Sequence, residues 1–166
     1  MDYLWTPWRY RYIADDKKDE GCVFCEALAA NDDARTLIVF RGRKNFIILN
    51  RYPYTSGHVM VVPYVHSADL SACDADTAAE IMTLAQRSQA ALEKTYHPQG
   101  YNLGMNLGKA AGAGVAGHLH LHALPRWAGD TNFMTTVAET RVLPEDLSTT
   151  WKRMREAYGA LQEKQG

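Results

Sequence analysis

The stretch His118-Leu119-His120-Leu121-His122-Ala123-Leu124 decides how this chain is read. On a β-strand, alternation puts the three imidazoles on one face and Leu119, Leu121 and Ala123 on the other. One face then packs into a core while the other presents a row of groups that can act as nucleophile, proton donor or metal ligand. A purification tag would be terminal and contiguous, whereas this run is internal and strictly alternating. Along a strand, His118 and His122 stand roughly 13 Å apart. Metal–nitrogen bonds are only about 2.0–2.1 Å long. A single ion therefore takes one or two of the three, and at least one imidazole stays free for chemistry.

Directly before the histidines, Gly108–Gly117 carries four glycines and reads as a loop. Its glycines, Gly112 and Gly114 among them, let backbone N–H groups turn toward an anion and approach it closely. Tyr101–Leu107 alternates and reads as a strand. Asp74 to Tyr96 repeats its apolar residues at helical spacing (Ala78, Ile81, Met82, Ala85, Leu92, Tyr96), with Asp74 or Asp76 as cap and Pro98-Gln99-Gly100 as stop. Thr36–Arg41 and Phe46–Asn50 read as a hairpin around Gly42-Arg43-Lys44-Asn45, and His58–Val62 as a strand ended by Pro63. Arg51–Gly57 is a loop. Cys22–Ala30 is expected as a short helix and Leu147–Gln162 as a C-terminal one, while residues 128–143 follow neither period. Hairpin-joined strands with one long crossing helix define an α+β domain on an antiparallel sheet.

A chain of 166 residues, 46% of them hydrophobic, has enough apolar material for one domain without disulfide staples. The whole of 1–166 is read as that domain, with an aromatic arm over residues 1–14 and a C-terminal extension over 128–166. With eighteen basic against nineteen acidic residues, nothing suggests a polyanion-binding surface, and no nucleic-acid partner is expected. The start of the chain lacks a signal-peptide pattern and no apolar run is long enough to span a bilayer, so the expected location is the cytoplasm. The aromatics Tyr3, Trp5, Trp8, Tyr10 and Tyr12 are too apolar for a free tail and point to a homodimer.

Cys22 and Cys25 form a C-x-x-C, and Cys73 stands alone. The pair reads either as a redox couple or as half of a metal site. The charged run Asp15–Glu20 before it is unlike the βαβ setting of a thioredoxin-like couple, and a metal site needs two further ligands.

His-Φ-His-Φ-His-Φ-Φ, with Φ apolar, is matched at every position by His118 to Leu124, and the chain resembles the histidine-triad superfamily of nucleotide hydrolases and transferases over about residues 22–127. The resemblance implies that His120 attacks the α-phosphorus of a nucleotide and that His122 donates to a phosphate oxygen. It implies Asn50 near the ribose, His58 bringing a further imidazole to the phosphates, and Asn106, Gly112 and Gly114 around the phosphates. Many relatives carry a polar pair on the phosphate loop where Gly114-Val115 stands here. Related galactose-1-phosphate uridylyltransferases and bacterial triad proteins imply a structural zinc held by Cys22, Cys25, His66 and His118. A divalent ion can also accompany the polyphosphate.

The flanks Leu4–Arg9 and Pro125–Met134 are similar to the branch of diadenosine tetraphosphate phosphorylases and hydrolases, which adds Trp127 as a nucleotide contact. Arg126 and Lys109 are the cations nearest the motif in sequence and are expected to serve a second anion. The rival expectation is a nucleotide sensor that binds without turnover.

Overall fold

The computed structural model describes residues 21–130 and 144–162. The aromatic arm 1–14 and most of the unassigned 128–143 lie outside them. Five antiparallel strands, β1 (Ile38–Arg41), β2 (Asn45–Leu49), β3 (Val59–Pro63), β4 (Gly100–Gly104) and β5 (Leu121–Arg126), form one sheet in the order β1-β2-β3-β5-β4. Helices α1 (Val23–Ala29), α2 (Asp33–Thr36), α3 (Ala75–Tyr96) and α4 (Leu147–Gln162) complete the described α+β architecture.

Both central strands β2 and β3 are buried along their whole length, so the sheet is covered on two faces. On one face Ile47, Leu49, Val59 and Val61 meet Leu119, Leu121 and Ala123, with Ile81, Leu84 and Leu92 of α3 and Met154 and Tyr158 of α4 above them. On the other face Phe46, Ile48, Met60 and Val62 pack with Phe24 and Ala27 of α1. The triad follows this division. Its aliphatics enter the two-helix core, and His122, paired with Met60 across β5 and β3, faces the α1 side.

α3 starts where Asp74 caps it, its carboxylate accepting from the Thr77 N–H at 2.9 Å and the Thr77 hydroxyl at 2.7 Å. One turn in, Glu80 accepts from the N–H groups of Arg43 and Lys44 and from the Asn45 amide at 2.6–2.9 Å, which ties the helix to the β1–β2 turn. Gly57 has φ +79°, and a Cβ there would meet Tyr96 at 2.8 Å and Leu92 at 2.9 Å. Only glycine can bring the loop this close to α3 and so set His58 at the head of β3.

Several boundaries differ from the sequence reading, three of them with a clear physical cause. Thr36 closes α2 rather than opening a strand, because Asp32 caps that turn and Leu37 turns left-handed at φ 69°. β4 ends at Gly104, where its pairing with His122 ends, not at Leu107. β5 begins at Leu121 instead of His118. Opposite that point β3 ends at Pro63, which has no N–H to donate, and the Leu119 N–H goes instead to the Ser67 carbonyl at 2.7 Å. Further on, Pro125 is tolerated because β3 pairs β5 only as far as Ala123 and leaves it β4 alone.

Candidate active site and metal centre

His118 and His120 are 1% and 4% exposed, and fixed acceptors decide which ring nitrogen of each bears the proton. The Pro63 carbonyl lies 2.9 Å from His118 Nε2, and a carbonyl only accepts, so His118 is protonated at Nε2 and its Nδ1 lone pair is bare. The His118 carbonyl lies 2.8 Å from His120 Nδ1, so His120 is protonated there and keeps Nε2 bare.

His122 is fixed from further away. The Tyr54 backbone N–H donates to His58 Nδ1 at 3.2 Å, and the Asn50 amide lies 3.3 Å from the same atom. A neutral His58 must then carry its proton on Nε2, which lies 2.9 Å from His122 Nδ1. That leaves His122 with an N–H on Nε2. Burial, then the neighbouring His120, push the His122 pKa down to about 4. Burial likewise lowers His118 and His120, so the triad is neutral near pH 7.

His120 and His122 line a cavity of about 560 Å³, a volume suited to a small organic ligand. Val23, Phe24, Ala27, Leu37, Ile48 and Met60 give it an apolar side, and Asn50, Asn106 and the backbone of Gly112 and Gly114 give it a polar one. Gly112 is left-handed at φ 85°, which suits it to turn the loop chain back toward the histidines. The Tyr54 ring lies nearly parallel to His122, with centroids 6.1 Å apart.

The structure separates some residues that the sequence groups together. His58 is 1% exposed and stands behind His122 rather than on the cavity wall. Trp127 packs edge-on against Tyr96 and does not line the cavity. Arg126 is held by Asp130 at 2.6 and 2.8 Å and by Asn102 at 2.6 Å, so it is no cavity cation, and Lys109 is no lining residue either. Among the described residues, the cations that line it are Arg35 and Arg51. The signal for Arg51 was its place directly after Asn50; nothing in the sequence singles out Arg35.

Cys22, Cys25, His66 and His118 bring one donor atom each to within 4.8 Å of one another and could hold a metal ion. His118 Nδ1 is 3.2 Å from Cys22 Sγ and 3.7 Å from Cys25 Sγ, and His66 Nδ1 is 3.4 Å from Cys25 Sγ. Tetrahedral zinc with two sulfurs and two nitrogens keeps its donors about 3.3–3.8 Å apart, so the spacing fits. The chemistry fits as well. The bare Nδ1 of His118 faces the thiols, oriented by the bond its other nitrogen makes to Pro63. Burial, and then Cys22, raise the Cys25 pKa, and a bound cation reverses that preference.

Known proteins resemble the chain in sequence and in fold. The HIT domain model matches residues 31–129. The chain is 38% identical over 157 residues to the AP-4-A phosphorylase of Mycobacterium tuberculosis, spanning 90% of this chain and 80% of that protein. Its fold is similar to that of a zinc-bound histidine triad family protein from Mycobacterium smegmatis, with a TM-score of 0.71 and 31% identity over 87% of this chain and 98% of the other. A histidine triad nucleotide-binding protein from Sulfolobus tokodaii follows at a TM-score of 0.70 and 28% identity, covering 86% of this chain and 95% of its own. The chain belongs to the HIT family.

Proposed function

We propose that the chain transfers a nucleotidyl group from a dinucleoside polyphosphate, with diadenosine tetraphosphate as substrate and inorganic phosphate as acceptor. The observation that carries this reading is the opposed protonation of His120 and His122, a bare Nε2 beside an Nε2–H on one cavity wall. His120 Nε2 attacks the α-phosphorus, the N–P bond forms, and the bond to the bridging oxygen breaks to release ATP. Phosphate then attacks the same phosphorus, the N–P bond breaks, and ADP leaves. Two displacements replace one difficult step.

His122 Nε2–H, with Gly112, Gly114 and Asn106, holds the phosphate oxygens as charge builds on them. Asn50 meets the ribose, and the apolar side takes the base. His58 acts through His122 and is a positioning residue. Cys22, Cys25, His66 and His118 would hold a structural zinc, which would cross-link α1 and His66 to the segment entering β5. The 38% identity to an AP-4-A phosphorylase supports the choice of substrate and acceptor.

Nucleotide chromatography after incubation with diadenosine tetraphosphate and phosphate tests the reading. ATP with ADP supports it. An unchanged substrate that still binds the chain favours a sensor and overturns it. We also read the protein as a cytoplasmic homodimer; the pairing is supported by β4, an edge strand among the described residues that leaves Leu103 exposed. A monomer mass in light scattering would overturn the dimer. Among the described residues no helix is long and apolar enough to cross a membrane.

A further inference from the structure

Two sites share the single short helix α1. Its N-cap residue Cys22 and its third residue Cys25 bring both thiols of the metal group, while Val23, Phe24, Glu26 and Ala27 line the cavity. The Phe24 ring sits 5.4 Å edge-on from His118 and 5.2 Å from His120, between a metal-group imidazole and the cavity imidazole. α1 has seven residues and its N-cap side chain makes no capping hydrogen bond. A helix this short does not hold by itself in water. Its place against the sheet rests on the burial of Phe24 and Ala27 and on whatever joins its two thiols to His66 and His118.

We propose that Cys22 and Cys25 are an oxidative modification site through which a peroxide lowers the affinity of the cavity for nucleotide. This rests on the reading of the cavity as the nucleotide site. Cys22 and Cys25 are both half-buried residues rather than sealed in the core, and reaction with a peroxide needs that access. One thiolate attacks the peroxide oxygen, the O–O bond breaks, and the hydroxide released takes up a proton and leaves as water. The second thiolate attacks the sulfenic sulfur, the S–S bond forms, and a second protonated hydroxide leaves as water. Two electrons pass from the two sulfurs to the peroxide.

Around a tetrahedral metal the two sulfurs stand about 3.8 Å apart, and in a disulfide about 2.05 Å. The two states therefore hold Cys22 and Cys25, with Val23 and Phe24 between them, in different positions. Oxidation also strips the metal of two of its four donors, which removes the tether between α1 and His118. The cavity wall loosens as a result. By reciprocity, nucleotide in the cavity holds the metal more tightly.

The test uses the full reduced chain loaded with zinc and titrated with hydrogen peroxide. Thiol count, zinc release to a chromogenic chelator and AMP binding by calorimetry are followed together. Loss of two thiols should track release of one zinc and a rise of about ten-fold or more in the Kd for AMP, reversed by dithiothreitol with zinc. Cys73→Ser should respond as the parent does. Phe24→Leu, which keeps both thiols, should retain zinc yet bind AMP more weakly. Oxidised, zinc-free protein that binds AMP as tightly as the loaded form overturns the switch alone. A reduced, loaded chain that fails to bind AMP overturns the nucleotide reading and the switch with it.

Discussion

His58 Nε2 lies 2.9 Å from His122 Nδ1, and this contact settles which nitrogen of His122 faces the cavity. The information starts at a backbone N–H of Tyr54, which can only donate, and passes through two imidazoles to the cavity wall. His58→Ala removes the donor to His122 and frees its tautomer. Turnover should fall about 10-fold or more through kcat, with KM little changed, because the interaction lost is one strengthened in the transition state. An unchanged kcat would show that His122 does not depend on this relay.

His120→Asn should abolish turnover while leaving the circular dichroism spectrum and the binding of AMP intact. His122→Ala should retain a residual rate lowered by about 10²–10³-fold, the usual effect of deleting one charge-stabilising donor. With substrate labelled on the α-phosphate, protein quenched in alkaline denaturant, where a phosphorus–nitrogen bond survives, should carry nucleotide in the parent and none in His120→Asn. A His120→Asn protein with near-parental rate would sink the covalent mechanism.

Much of the site could be read before the fold, because the chemistry lies in contiguous motifs. His118-Leu119-His120-Leu121-His122 shows which residues enter the core, and Leu119, Leu121 and Ala123 do so. The strand limits were less legible. Whether a residue joins a ladder depends on its neighbour's free N–H groups, and Pro63 removes one where β5 would otherwise begin. The Arg126 misreading has the same origin. Closeness in sequence placed it by the site, but its side chain reaches Asp130 and Asn102 on the outside of the sheet. Arg35 and Arg51 reach the cavity from segments far from the triad, and only Arg51, next to Asn50, carries a local signal.

Stability should fall in mild acid. The His122 pKa is about 4 in the folded chain, against an ordinary value of 6.5, in surroundings that include His58, His120 and Tyr54. Above pH 6.5 His122 is neutral in both states and contributes no slope. As the pH falls from 6.5 toward 4 the unfolded chain takes up a proton that the native chain refuses, so stability drops across that window. Urea unfolding at about pH 7 and about pH 5 should show a smaller loss for His122→Asn than for the parent. Equal losses would mean that His122 titrates normally.

Gly57→Ala should destabilise the chain by about 1–3 kcal/mol, since a Cβ at φ +79° is strained and also presses on Tyr96 and Leu92. Because Gly57 sets the entry to β3, turnover should fall along with the urea midpoint. A parental midpoint would show that the loop relaxes without cost.

Phosphate is the expected acceptor. Phosphorolysis needs room and positive charge for a second anion beside the covalent nucleotide. Arg126 is already neutralised by Asp130, so Arg126→Ala should leave the phosphate dependence of the rate as it was. Arg51 lines the cavity, and Arg51→Ala should raise the KM for phosphate several-fold if the acceptor enters on that side. With diadenosine tetraphosphate, ADP and ATP in equal amounts should appear at a rate that rises with phosphate. AMP and ATP, formed at a rate indifferent to phosphate, would make water the acceptor and the protein a hydrolase, while leaving the roles of His120 and His122 intact.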